Sequence, residues 1–128
     1  MQTYWRDSDP AGGVYFANYF AFIEQAEEEL FHSHGANRQK LLKEERVWMP
    51  RVEAFSKFVR PIRTGLMIRV RMNPQFKGTK AIRYEFEILE DASSETLAEG
   101  YITVVCVDAA GFKATPIPNS IRTAIDGK

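Results

Sequence analysis

The chain has a single cysteine, Cys106, in 128 residues. One thiol cannot make an intrachain disulfide or a multi-cysteine metal site, and so sparse a cysteine content is expected in a reducing compartment. An excess of one charge is missing too: 17 Lys and Arg balance 17 Asp and Glu, giving a formal net charge of +0 at pH 7. General binders of nucleic acid or of anionic membranes carry a basic surplus, so neither is an expected partner. No apolar run approaches the roughly 18 residues of a membrane span. The opening Met1-Gln2-Thr3-Tyr4-Trp5-Arg6-Asp7 lacks the apolar core of a secretory leader. These shortages imply a cytoplasmic protein, and a net charge near zero favours self-association.

What is present suits a folded domain. Hydrophobic residues make up 45% and charged residues 27%, a balance that argues against a disordered chain. One domain spanning residues 1–128 is expected, burying roughly two-thirds of the surface that the unfolded chain exposes.

Residues 15–34 contain neither Gly nor Pro, and Tyr15, Tyr19, Phe22, Ile23, Ala26 and Leu30 recur at helical spacing. Gly35 is a good stop signal for that helix. Phe16, Phe20 and Phe31 fall off the stripe, so a second helix face should also be covered, by the sheet or by another subunit. Glu24, Glu27, Glu28 and Glu29 mark the more polar side. A shorter helical piece is expected at about 38–46.

Beyond Pro50 the period changes to two. Val52, Ala54, Ser56 and Phe58 alternate with Arg51, Glu53 and Lys57; Leu66, Ile68, Val70 and Met72 alternate with Arg69 and Arg71; Ile82, Tyr84, Phe86 and Ile88 alternate with Arg83, Glu85 and Glu87. Each pattern reads as a half-buried strand. Residues 97–107 are apolar on both faces, as in a central strand. Residues 2–6 offer a short first strand. Short links containing turn residues predict an antiparallel meander, and one long helix packed on such a sheet of about five strands is an α+β domain. Residues 115–118 are expected to be extended, lying across the sheet edge.

Chemistry is most legible before the long helix. Asp9 precedes a glycine-containing turn, Pro10-Ala11-Gly12-Gly13, and the turn feeds the helix. A helix start presents unpaired N–H groups and a partial positive charge, which can hold a carbonyl oxygen as it gains charge. A carboxylate nearby can attack that carbonyl or activate a water. By residue type alone, Asp-x-Asp-Pro is also a common turn or cap.

The stretch Asp7-Ser8-Asp9-Pro10-Ala11-Gly12-Gly13-Val14-Tyr15-Phe16-Ala17-Asn18-Tyr19 resembles the signature of the hotdog-fold acyl-CoA thioesterases of the 4-hydroxybenzoyl-CoA thioesterase type. Phe58-Val59-Arg60-Pro61-Ile62-Arg63-Thr64-Gly65 and the stretch from Glu99-Gly100-Tyr101 to Ile117-Pro118 are similar to later parts of that family. The resemblance implies a hotdog fold, a long central helix wrapped by an antiparallel sheet. It implies hydrolysis of an acyl-CoA thioester to free acid and CoA, with Asp9 as nucleophile or general base. The backbone N–H of Phe16, helped by Tyr15 or neighbours, would bind the oxyanion. Many relatives carry His or Tyr at that position; Phe keeps only the backbone role. The resemblance further implies substrate contacts from Tyr15, Tyr19 and Glu24, with Lys80 on the coenzyme phosphates, and a homodimer or homotetramer with sites between protomers.

No cofactor or metal is expected, because a thiolate leaves without a strong acid or a Lewis acid. His32 and His34 are read as surface or capping groups, and Cys106 as a small buried hydrophobe. The other readings are a non-catalytic module that binds an acyl thioester or small ligand, a hotdog hydratase (which would want a His near Asp9), and an unrelated α+β binding domain in which Asp9 only caps a helix.

Overall fold

The computed structural model describes residues 1–126. Helix α1 (Asn18–Ser33) is followed by α2 (Arg38–Lys40), which runs into a π-helical turn at Leu41–Glu45. Then come β1 (Val47–Trp48), β2 (Arg51–Phe58), β3 (Ile68–Lys77), β4 (Ala81–Glu90), β5 (Thr96–Val105), β6 (Val107–Asp108) and α3 (Asn119–Asp126). A four-stranded antiparallel sheet has the order β2-β5-β4-β3, and β1 pairs with β6 in a two-stranded sheet.

The period-two patterns produce β3 to β5 directly, whereas β2, read as half-buried, exposes Val52, Ala54 and Phe58 in a single chain because nothing among its described residues covers its edge. Ile82, Tyr84, Phe86 and Ile88 of β4 are buried, as are Ala98, Ile102 and Val104 of β5. Helix α1 lays Tyr19, Phe22, Ile23, Glu27 and Phe31 against that face. Ridges at i, i+3, i+4 make one apolar stripe, and its burial holds helix to sheet. A long helix enclosed by an antiparallel sheet is the hotdog arrangement.

Other expectations need correction or extension. Helix α1 starts at Asn18, not near residue 15, because Tyr15 to Ala17 still belong to the turn that shapes the helix entrance. Glu27, placed on the polar side, is buried, while the burial of Phe31 agrees with the expected cover on a second face. The meander covers only β3, β4 and β5; β2 lies beyond β5, so residues 59–67 cross from one sheet edge to the other. Residues 2–6 form no strand: Gln2 bridges to Met67, and Trp5–Asp7 is a 3-10 turn. After the extended 115–118 the chain forms α3, with Ile121 and Ala124 buried.

The crossover is what positions the Asp9 turn. Ile62, buried between Pro61 and Gly65, accepts the Val14 N–H at 2.7 Å, and Gly13 bridges to Arg63. Thr64 donates both its N–H (3.2 Å) and its hydroxyl (2.8 Å) to the Gly12 carbonyl. Gly65, at φ 85°, turns the strap toward β3 in a conformation that favours glycine.

Candidate functional site

Asp9 is half-buried and held by its own loop. Its N–H donates to the Gly13 carbonyl at 2.9 Å, and its carbonyl accepts the Gly12 N–H at 3.0 Å. One carboxylate oxygen, Oδ1, accepts the Ala11 N–H at 2.9 Å. This is an Asx turn, which fixes the carboxylate without consuming it. Gly12 adopts φ 85°, the left-handed conformation that lets so tight a loop close.

The helix entrance beside it carries free donors. The Tyr15 N–H is taken by the Asp7 carbonyl at 2.8 Å, the Asn18 N–H by Tyr15 at 2.9 Å, and the Tyr19 N–H by Phe16 at 3.2 Å. Among the described residues, the N–H groups of Phe16 and Ala17 donate to no protein acceptor. The Asn18 side chain also donates to the Asp7 carbonyl at 2.9 Å, tying the first helical residue to the Asp-Ser-Asp segment. An unsatisfied pair of N–H groups at a helix start can hold a carbonyl oxygen, and a carboxylate anchored in the turn that leads to it can attack the carbonyl carbon.

Aromatic rings wall this corner. Phe16 packs against Tyr15 (4.9 Å between ring centres) and edge-on to Phe58 (6.1 Å), and Tyr19 meets Phe58 at 5.0 Å. Phe16, Tyr15 and Phe58 are exposed, so the wall is open on one side in a single chain.

The remaining sequence-derived residues are spread more widely. Tyr19 is buried and its hydroxyl accepts the Ile62 N–H at 3.3 Å; burial raises its pKa above the usual phenol range. It thus ties the helix to the crossover. Glu24 lies farther along α1, with Oε1 at 2.6 Å from Arg38 Nη1 and 4.0 Å from Arg51 Nη2. Lys80 is exposed in the β3–β4 turn, at the Arg51 end of the sheet. Phe58 ends β2 at the opposite end, pairing with Ala98 in the row that continues to Ile88 and Val70. Within one chain, therefore, Asp9, Tyr15 and Phe16 come together, while Glu24 and Lys80 stand apart.

Two groups escaped the sequence reading. Ala17, not Tyr15, supplies the second free N–H; only the observed Asp7–Tyr15 bond reveals this. Glu27 is a carboxylate with 1% exposure that ion-pairs with Arg51. Its helical spacing from Tyr19, Ile23 and Phe31 was the available signal.

The family model described as the Thioesterase-like superfamily matches residues 3–125. The chain is 29% identical over 122 residues to the acyl-CoA thioester hydrolase YbgC of Escherichia coli O6:H1, covering 94% of this chain and 89% of that protein. It is 27% identical over 117 residues to the 1,4-dihydroxy-2-naphthoyl-CoA hydrolase of Nostoc punctiforme, covering 91% and 78%. Among solved structures, Slr0204, a 1,4-dihydroxy-2-naphthoyl-CoA thioesterase from Synechocystis, superposes with a TM-score of 0.93 at 26% identity, over 98% of this chain and 92% of that one.

Proposed function

The chain belongs to the Thioesterase-like superfamily, and from that premise we propose that it hydrolyses an acyl-CoA thioester at the Asp9 corner. The supporting observation is an anchored carboxylate in a turn whose Asp7 end is bonded to the helix entrance, where two N–H groups have no protein acceptor. A thioester carbonyl directed at the Phe16 and Ala17 N–H groups gains electrophilicity, because those donors match the charge that develops on oxygen. The Asp9 carboxylate then attacks the carbonyl carbon, the C–S bond breaks and CoA leaves as thiolate. Water cleaves the resulting mixed anhydride and restores Asp9. In the alternative route Asp9 takes a proton from a water that attacks directly; both routes use the same two groups. One oxyanion donor of this kind is typically worth about 3–4 kcal/mol in the transition state.

Relatives acting on 1,4-dihydroxy-2-naphthoyl-CoA make an aromatic acyl group one reading of the substrate. The Phe16–Phe58–Tyr15 wall is compatible with a flat acyl group. The wall is open, however, and a second copy would close it. Of the two edges of the sheet, β3 carries Pro74, which cannot donate to an added strand. The β2 edge has no proline within it and exposes Val52, Phe55 and Phe58. A strand edge that exposes apolar side chains between its charges can pair, and the occupant proposed here is β2 of a second copy, in a two-fold homodimer that can itself build a tetramer.

Release of free CoA thiol from a set of acyl-CoA esters measures the activity. Asp9→Asn should lower kcat by about 10^3-fold or more with an unchanged thermal melt. Normal turnover in that variant would remove Asp9 from the chemistry. Tight binding of acyl-CoA without turnover by the natural chain would favour the binding-module reading, with which the apolar Phe16 side chain is compatible.

A further inference from the structure

We propose that the cluster of Glu24, Glu27, Glu28, Arg38 and Arg51 completes the Asp9 site of a second copy and selects neutral acyl groups over acyl groups that end in a carboxylate. The proposal rests on the Asp9 reading and on β2 self-pairing.

The cluster is unusually constrained. Arg51 bonds the buried Glu27 carboxylate and the Met49 carbonyl in the link before β2, the latter at 3.0 Å. Arg38 holds Glu28 and sits 2.6 Å from Glu24 and 3.9 Å from Glu27. Among the described residues, Glu27 Oε2 and the Tyr84 hydroxyl, both buried, have no hydrogen-bond partner within normal geometry. A buried carboxylate that loses its guanidinium is strongly disfavoured, so Glu27 fixes Arg51 in place. Arg51 and Arg38 in turn fix Glu24, whose side chain is 48% exposed and faces outward. Glu27 and Arg51 are thus positioning residues, and Glu24 and Glu28 the groups an acyl chain would meet.

Location supplies the second half of the argument. Arg51 begins β2 and Phe58 ends it. A bulge between Arg51 and Glu53 turns both side chains toward α1 and leaves them roughly 20 Å apart in one chain. Opposite side chains in an antiparallel pair share a face, so a two-fold axis through β2 passes at a residue, Ala54 or Phe55 at mid-strand. Because of the bulge, an axis at Phe55 sets Arg51 of one copy opposite Phe58 of the other, and an axis at Ala54 leaves them about two rungs apart. Phe58 is the ring that packs on Phe16 and Tyr19. The cluster therefore arrives at the aromatic wall of the second copy's Asp9.

Three carboxylates face two guanidinia, a net charge of one negative. Beyond them, Glu28 and Arg38 rim a cavity of about 430 Å³ lined by Leu42, Val47, Trp48, Met49 and Phe112. A neutral acyl chain can pass such a rim into the apolar space, whereas a second carboxylate is repelled by it.

The test compares kcat/KM for hexanoyl-CoA and adipyl-CoA, which match in carbon number and differ in the terminal carboxylate. The natural chain should prefer hexanoyl-CoA. Glu24→Gln with Glu28→Gln should shrink that preference about tenfold or more, chiefly through a lower KM for adipyl-CoA. A merely structural role would move both substrates together. Mixed dimers, one chain carrying Asp9→Asn and the other the double substitution, then locate the cluster. Their one living Asp9 faces the intact cluster of the other copy, so the natural preference should return. An unchanged preference in the double variant, or mixed dimers that behave like it, would overturn the proposal. Full turnover by the Asp9→Asn dimer would sink the Asp9 reading itself, an outcome told apart from failure of the cluster because the double variant's preference is measured with Asp9 intact.

Discussion

Cys106 has 0% exposure, at the junction between β5 and β6, and burial pushes its thiol up to about 11 from an ordinary 9.0. The folded state holds that proton where the unfolded state has released it. Stability from this group is therefore complete below about pH 9 and is lost as pH rises through 11. The slope approaches about 1.4 kcal/mol per pH unit in that window. Urea unfolding between those limits should show this loss in the natural chain and less of it in Cys106→Ala. A disulfide exchange reagent at pH 8 should leave the thiol untouched until the chain unfolds, since the reactive thiolate is both scarce and buried. Rapid labelling of the folded chain would contradict the burial. At this scale Asp9 was legible in the sequence because its role depends on a contiguous turn, an Asx bond two residues long and an adjoining helix start. The identity of the second N–H donor was not legible. It depends on which amide the Asp7 carbonyl happens to capture, a competition decided by loop geometry.

At the scale of elements, β5 shows how a single missing atom sets the spacing of two strands. Gly100 faces Ser56 across the β2–β5 ladder, and a Cβ there would lie 1.9 Å from the Phe55 carbonyl oxygen and 2.8 Å from its carbon. Backbone cannot yield as a side-chain tip can. Gly100→Ala should cost about 2–3 kcal/mol, the upper range of overpacking, read as a lower urea midpoint. A midpoint equal to that of the natural chain would mean that β2 slides freely on β5. The strands themselves were readable from alternation, and α1 from its 3.6 period, because both signals are local. The order of β2 in the sheet was not, since it depends on the 59–67 strap finding Val14 and Tyr19, contacts distant in sequence. Glu27 misled for the same reason: a glutamate on a helix reads as solvated until Arg51, 24 residues away, is known to neutralise it. Helix α3 had a usable signal in Ile121, Ala124 and Ile125, at i, i+3 and i+4, but eight residues after two prolines give little periodicity to weigh.

For the whole molecule the governing quantity is what the exposed β2 edge does. Edge strands are ordinarily blunted by proline, charge or brevity; β2 is eight residues long, its Arg51 and Glu53 are engaged by Glu27 and Arg83, and Phe55, stacked on Tyr101 at 5.5 Å, is exposed at its middle. If two copies pair there about Ala54 or Phe55, lysines placed at both positions ensure that one of them meets its own image, since a two-fold axis through either residue sets that residue opposite itself. Like charges directly opposite, added to the lost Phe55 contact, should weaken association by about 10²-fold. Ala54→Lys with Phe55→Lys should therefore sediment as a monomer at micromolar concentration, keep a cooperative melt, and hydrolyse thioesters with a specific activity that rises with protein concentration. Phe55→Leu, which keeps the apolar contact, should remain dimeric and active. A double-lysine variant that is monomeric yet fully active at every dilution would show that one chain suffices for catalysis. The open aromatic wall beside Asp9 would then need no second copy, and the acyl group would have to find its selectivity within residues 1–20 and 58–66 alone.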